Sequence, residues 1–243
     1  MPEASNWKVL RHDPLARLSP RVLTVEGDLP NMALKRRMTL VQRDDGSLLV
    51  HNAINCDAAT MAAIDALGPV SLIVVPNGYH RLDCAAWHAR YPSARVVAPP
   101  SAVKAVSERV PVALTYPELA LEPAITVSLL DGQHPRMGEG VFRVRDDDRS
   151  ETLIFNDTLF NVPHTGGFGG FVLRAVGSSG GPRVSGVMRL VGVRDRAALA
   201  EALRREAGRE GLARLIPGHG GVIDADAGAV LRGVADGLSR PAG

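Results

Sequence analysis

Cysteine is scarce in this sequence: the 243 residues include only two, Cys56 and Cys84. They do not stand at the C-x-x-C spacing of a structural zinc site, and two cysteines cannot build the disulfide framework of a small secreted domain. This scarcity is typical of proteins from a reducing compartment, so we predict a cytoplasmic location.

Long hydrophobic runs and a one-sided charge are also missing. The N-terminus lacks the basic and apolar segments of a signal peptide, and the longest apolar run, residues 70–76, is far shorter than the roughly 18 residues of a membrane span. The 28 basic and 26 acidic residues nearly balance, which argues against a nucleic-acid footprint. We therefore expect a small-molecule substrate or ligand as partner, and neither a membrane nor a nucleic acid. The sequence carries no signal for an oligomeric state.

Two common enzyme signatures are absent as well. The glycine-rich stretches 166–170 and 177–181 do not follow the G-x-G-x-x-G pattern that leads into a helix in nucleotide-binding folds. No G-x-S-x-G elbow marks a serine hydrolase. We predict instead that the two stretches are mobile loops that cover a pocket.

Apolar runs bounded by turn-forming residues predict strands along the chain, and amphipathic segments predict helices between them. The predicted strands are 21–25, 38–42, 47–52, 70–75, 94–98, 125–130, 141–144, 152–155 and 212–216. The predicted helices are 58–67, 83–91, 101–109, 195–208 and 226–239. Acidic turns at 44–46 and 146–148 predict two hairpins. This order favours one α/β domain over residues 1–243, with two packed sheets and helices outside them.

Polar segments follow four of the strand-like runs. They are 77–80, 132–134, 156–157 and 217–221. In the last of these, glycines flank His219 and let the loop approach a ligand closely. Polar groups delivered from several strand ends favour one shared pocket.

The order of these segments resembles the metallo-β-lactamase superfamily. In that family an HxHxDH loop after one strand is followed by a third histidine, by a bridging aspartate and by a late histidine in a PGHG-like loop. Here His134, Asp157 and His219 match the last three, and the resemblance covers about residues 20–235. It implies a four-layer αββα sandwich.

The first motif of the family is altered in this chain. Asn77 and Tyr79 stand where two histidines belong, and Arg81 and Leu82 replace the aspartate and the last histidine. His80 lies between the motif positions. The chain therefore resembles a degenerate branch of the superfamily, and a two-metal site is not implied.

The matching residues imply a reduced metal site. Two histidines and a carboxylate hold one metal ion with open positions for water or substrate, so the resemblance implies one Zn²⁺ or Fe²⁺ on His134, Asp157 and His219. His80 is a further predicted ligand. The implied reaction is hydrolysis of an ester, thioester, lactone or phosphoester by activated water.

Two alternatives stay open at this point. The same fold can carry a metal-free polar pocket, in which case the protein is a non-catalytic member that binds a small ligand or acts as a scaffold. The predicted catalytic residues are Asp157, His80 and Arg81. Arg81 either grips an anionic substrate or forms a surface salt bridge, and His80 either serves the site or bonds to its own loop.

Overall fold

The computed structural model describes residues 7–239, which divide into two compact units between Ile125 and Thr126. Each unit has its own strands, helices and apolar core. The prediction of one domain over the whole chain stays a prediction.

The first unit is built on a seven-stranded sheet in sequential order. Its strands are β1 (Ala16–Arg17), β2 (Val22–Asp28), β3 (Lys35–Gln42), β4 (Leu48–His51), β5 (Val70–Val74), β6 (Arg95–Ala98) and β7 (Leu114–Thr115). Strands β1 to β4 pair antiparallel, and β4 to β7 pair parallel. The parallel strands consist largely of buried apolar residues, as expected for strands covered on both faces.

Three helices accompany this sheet: α1 (Ala58–Asp65), α2 (Cys84–Arg90) and α3 (Val103–Ser107), the last preceded by a 3₁₀ turn at Pro100–Ala102. Helix α1 begins where the Asp57 carboxylate accepts a hydrogen bond from the Thr60 backbone N–H at 2.8 Å. Ile64 of α1 and Trp87 of α2 are fully buried in the same core as Ile73 of β5. The helices are therefore held by their apolar faces.

The second unit contains two smaller sheets. Its strands are β8 (Ile125–Leu129), β9 (Gly140–Arg145), β10 (Glu151–Ile154), β11 (Phe160–Val162), β12 (Gly181–Arg183), β13 (Leu212–Ile216) and β14 (His219–Gly220). One sheet has the order β13-β10-β9-β8, and the other has the order β12-β11-β14. Strands β10 and β13 are parallel neighbours, as are β11 and β14.

Four helices belong to the second unit: α4 (Gly167–Ala175), α5 (Gly186–Val191), α6 (Arg196–Ala207) and α7 (Ala227–Ser239). Helix α6 begins at Asp195, whose carboxylate accepts from the Ala198 backbone N–H at 3.0 Å, and it ends at Gly208. Leu203 of α6 and Leu231 of α7 lie in one core with Leu153 of β10. None of the described helices combines the length and the apolar character that crossing a bilayer requires.

Most predicted elements are confirmed to within a few residues, including both hairpins, β3–β4 and β9–β10. The prediction of a mobile loop over residues 166–170 is wrong, because helix α4 begins at Gly167. Gly170 lies inside that helix, and a Cβ there would come within 2.0 Å of the Thr165 carbonyl oxygen. That glycine therefore permits close packing.

Candidate metal centre

Asp157 and His219 meet because two parallel strands end side by side. Strands β10 and β13 are in register, with Ile154 opposite Ile216, and each candidate residue follows its strand end by three positions. The carboxyl ends of parallel neighbours lie at one edge of a sheet, where α/β proteins place their ligand sites. His219 Nε2 lies 3.2 Å from Asp157 Oδ1, within hydrogen-bond distance.

The two loops are joined by their backbones. The Phe155 N–H donates to the Ile216 carbonyl oxygen at 2.9 Å, and the Gly218 N–H donates to the Asn156 carbonyl oxygen at 3.2 Å. Gly218 fits only as glycine, since a Cβ there would lie 2.9 Å from backbone atoms of Asn156. These contacts hold the carboxylate and the imidazole at a set separation.

His219 is nearly enclosed. It is 3% exposed, and its ring centroid lies 4.7 Å from that of Phe160, its register partner on the neighbouring strand β11. The Asp157 side chain keeps 17% of its surface exposed. The pair is therefore shielded on the imidazole side and reached by solvent on the carboxylate side, as expected of donors that also leave a position for a small ligand.

Glu139 supports the Asp157 loop from inside the second unit. Its side chain is fully buried, and its two carboxylate oxygens accept hydrogen bonds from the backbone N–H groups of Asn156 (2.7 Å), Asp157 (2.8 Å) and Thr158 (3.2 Å). Burial, and then the charge of Asp157, raise the pKa of Glu139 to about 8. Three donated N–H groups position the loop that carries Asp157.

Gln133 extends this network. Its side-chain oxygen accepts from the Glu139 backbone N–H at 2.5 Å, and its amide nitrogen donates to Thr158 Oγ1 at 2.9 Å. Neither Glu139 nor Gln133 was predicted from the sequence to be a functional residue. The signal present in the sequence is an acidic residue between two glycines, Gly138 and Gly140, directly before a buried strand.

His134 belongs to a turn near this network. Its Nδ1 accepts from the Arg136 backbone N–H at 3.2 Å, and its own backbone N–H donates to the Gly192 carbonyl oxygen at 2.8 Å. Among the described residues of the second unit, no three histidine, cysteine or carboxylate side chains bring ligand atoms within 4.8 Å of one another. The structure thus joins Asp157 to His219 without adding His134, whose role as a ligand rests on the sequence alone.

The altered motif loop after β5, residues 77–82, lies in the first unit. Asn77 is 1% exposed, and its side-chain oxygen accepts from the backbone N–H groups of Tyr79 (2.8 Å) and His80 (3.2 Å). Such an arrangement shapes a turn through a side chain of the turn itself. Tyr79 and Leu82, which stand at motif positions, are both exposed.

His80 is oriented by a chain of hydrogen bonds. The Asn52 amide nitrogen donates to the Arg37 carbonyl oxygen at 2.9 Å, so its Oδ1 faces His80 Nδ1 at 3.1 Å. His80 Nδ1 must then carry the proton, and Nε2 carries the lone pair that a metal or a proton would take. The burial of His51, and then the charge of His80, lower the pKa of His51 to about 3.

Arg81 is engaged with α3. Its Nη1 donates to the Ala105 carbonyl oxygen and lies 2.5 Å from Glu108 Oε2. The hydrogen bond from Arg81 and the charge of its guanidinium hold the pKa of Glu108 below its ordinary value. These contacts support the salt-bridge interpretation of Arg81, and its catalytic role stays a prediction.

Comparison with known proteins identifies the type of fold that this chain has. No protein-family model matches the sequence, and no curated protein matches it as a relative. Several solved structures match along nearly the whole chain. DIM-1 metallo-β-lactamase is 14% identical with a TM-score of 0.62, covering 95% of this chain and 98% of its own.

Two further structures agree with this match. A metallo-β-lactamase from Pontibacter korlensis is 12% identical with a TM-score of 0.61, covering 93% of this chain and 99% of its own. FIM-1 from Pseudomonas aeruginosa, in its mono-zinc form, is 12% identical with a TM-score of 0.61, covering 94% and 98%. Identities this low show the fold and not the activity. The chain therefore has the α/β fold of the metallo-β-lactamase superfamily, as the resemblance implied.

Proposed function

We propose that this protein is a metal-dependent hydrolase with at most one metal ion, and that Asp157 and His219 are ligands of that ion. The observation that carries the proposal is the contact between His219 Nε2 and Asp157 Oδ1 at the ends of two parallel strands. His80 and His134 as further ligands remain predictions from the sequence.

The donor pair fits a borderline divalent metal. An imidazole nitrogen and a carboxylate oxygen are ligands that Zn²⁺ and Fe²⁺ both accept. The pair is also supported as metal ligands usually are, since the Asp157 loop is held by the buried carboxylate of Glu139. A bound cation would polarise the carbonyl or phosphoryl oxygen of a substrate and make water a better nucleophile near neutral pH.

The residues of the chain have separate tasks in this reaction. The contact between the His219 ring and the Phe160 ring fixes the position of His219 Nε2. Asp157, partly reached by solvent, orients a water molecule through its carboxylate and accepts a proton on a carboxylate oxygen. The substrate class is an ester, thioester, lactone or phosphoester.

A second candidate is a non-catalytic protein that binds a small ligand or acts as a scaffold. One observation favours it: the loop after β5 directs Asn77 to its own backbone and Arg81 to Ala105 and Glu108. Those side chains stabilise the loop in the place where the family has metal-binding residues.

A substrate panel separates the two candidates. The purified full chain is assayed on an ester, a thioester, a lactone and a phosphodiester, each with added Zn²⁺, Mn²⁺ or Fe²⁺. We expect metal-dependent turnover on at least one substrate, abolished by His219→Ala and retained by His88→Ala, a histidine variant on helix α2. Turnover that is absent with every metal, or equal in His219→Ala, would overturn the hydrolase proposal.

A further inference from the structure

The second unit exposes an unusual amount of apolar surface on two short helices. Seven of the twelve large hydrophobic side chains that are exposed among the described residues fall within residues 168–191. We name these seven the α4–α5 face; they are Phe168, Phe171, Val172, Val176, Val187, Leu190 and Val191. Phe168 and Leu190 are more than four-fifths exposed, at 81% and 82%. Isolated exposed apolar residues are ordinary, but a cluster of this kind marks an interaction surface.

Both helices carry large apolar side chains on the side that is exposed to solvent. In α4, Phe168, Phe171 and Val172 share one side at helical spacing, whereas the buried positions are Gly170 and Leu173. In α5, Val187, Leu190 and Val191 repeat the pattern around the single buried residue Met188. A helix that stabilised only its own unit would turn these side chains inward.

The two helices abut, so their exposed side chains form one surface. The Gly186 N–H at the start of α5 donates to the Gly177 carbonyl oxygen at 3.0 Å, just after α4. A Cβ at Gly186 would lie 2.3 Å from the Val176 carbonyl oxygen. Val176 and Val187 flank this junction and make the face continuous.

The charged residues of the segment that carries the face are of one sign. Residues 158–194 include four arginines and no acidic residue, in a chain whose charges otherwise nearly balance. The arginines are Arg174, Arg183, Arg189 and Arg194. Two copies of the chain that paired symmetrically through this face would bring like charges together, which disfavours a second copy as the occupant. A surface that is both apolar and negatively charged is complementary to it.

We propose that the α4–α5 face binds the surface of an anionic phospholipid bilayer, with its aromatic and aliphatic side chains in the headgroup region and its arginines against lipid phosphates. Short amphipathic helices with Phe or Leu on one side and Arg nearby bind membranes in this way, lying in the interface without spanning it. The sequence expectation of no membrane partner depended on the lack of a spanning run and of a signal peptide, and interfacial binding needs neither. This proposal is independent of the hydrolase proposal.

Vesicle sedimentation tests the proposal with the whole 243-residue chain. Vesicles of phosphatidylcholine alone are compared with vesicles that also contain phosphatidylglycerol. We expect the protein to sediment with the anionic vesicles, at least about tenfold more tightly than with the neutral ones, and to be released by high salt.

Variants locate the contact. The triple variant Phe168→Ser, Phe171→Ser, Leu190→Ser should bind anionic vesicles at least about tenfold more weakly, and Arg174→Glu should weaken binding to a smaller extent. Met32→Ser, which alters a residue 58% exposed in the first unit, is the matched control and should bind like the wild type. Circular dichroism checks that each variant is folded.

Three outcomes would overturn the proposal. One is a wild-type protein that does not sediment with anionic vesicles. Another is a triple variant that binds them as well as the wild type does. The third is a wild-type dimer without vesicle binding that the triple variant converts to a monomer, since the face would then join two copies of the chain. Light scattering after size exclusion measures the oligomeric state.

Discussion

The loop after β5 in the first unit and the loops after β10 and β13 in the second unit follow parallel strands, but they use their polar atoms differently. In the first unit, Asn77 accepts two N–H groups of its own loop. In the second unit, the N–H groups of the Asp157 loop donate hydrogen bonds to Glu139, which comes from another segment of the chain. Asp157 then faces His219.

The two regions differ in which side chain accepts the hydrogen bonds of the loop backbone. Buried N–H groups must be paired, and a loop that pairs them with its own side chains has fewer side chains left for a ligand. A loop whose N–H groups donate to an acceptor from another segment keeps its own side chains available. Such a loop can direct a carboxylate to a neighbouring imidazole. We therefore propose a structural role for the loop after β5 and a metal-binding role for the loops of the second unit.

The largest effect is expected from Gly218→Ala. The added Cβ would press against the Asn156 backbone at 2.9 Å and separate the two strand-end loops. We expect a loss of about 2–3 kcal/mol in the free energy of unfolding. Metal affinity should fall on the order of 100-fold, because the donor atoms would move apart.

Gly221→Ala is the matched control for Gly218→Ala. It lies three residues further along, and its Cβ would meet only the Asn161 amide nitrogen at 3.4 Å. Urea unfolding and metal titration measure both variants. If the two alanine variants behave alike, the contact between the loops does not hold the donor pair.

Glu139→Gln should produce the next largest effect. Above about pH 8, where Glu139 is ionised, a glutamine of nearly the same shape turns one acceptor oxygen into an NH₂ donor, which would face a backbone N–H of the Asp157 loop. We expect a cost of about 1–3 kcal/mol in stability and about a tenfold weaker metal affinity. Isothermal titration with Zn²⁺ measures the affinity, and an affinity equal to that of the wild type would show that Glu139 does not position Asp157.

The stability of the first unit should depend on pH through His51. His51 has a folded-state pKa of about 3 against an ordinary value of 6.5, so between these values the unfolded chain binds the proton and the folded chain does not. The stability of the folded state is therefore unaffected by His51 above about pH 6.5 and declines as the pH falls toward 3, by roughly 2 kcal/mol at pH 5. Urea unfolding of the metal-free protein from about pH 7.5 to pH 5 should show this decline, and His51→Gln should reduce it. If the stability of His51→Gln declines with falling pH as steeply as that of the wild type, the proton responsible binds to a residue other than His51.

Arg81→Leu should have the smallest effect. Its guanidinium meets an exposed carboxylate, Glu108, and solvent screens such pairs strongly. We expect a small drop in melting temperature and unchanged metal content and turnover. Turnover or ligand affinity that falls about tenfold would instead support the other interpretation of Arg81, a group that grips an anionic substrate.

Much of the fold was predictable because local signals agree with it. Residues 212–216 form the predicted strand, and the helix predicted from Asp195 to Gly208 has those residues as its caps. The short strands β11, β12 and β14 were not predicted. They have two or three residues each, too few for a hydrophobic period, and their pairing depends on segments far away in the chain.

The candidate site was predictable in part for the same reason. Asp157 and His219 each follow an apolar strand, and parallel pairing then brings them together. Glu139 was not identified, since its role arises from three N–H groups that are 17 to 19 residues away. The exposed apolar side chains of α4 and α5 were not predicted to lie on helices, because the glycine-rich segments beside them indicated loops.

The most direct test of the central claim is the metal content of the purified protein after loading with Zn²⁺ or Fe²⁺ and desalting, measured by elemental analysis on the wild type and on His219→Ala and Asp157→Asn. We expect about one metal ion per wild-type chain and its loss from both variants. A wild-type chain without stoichiometric metal, or variants that retain as much as the wild type, would contradict it.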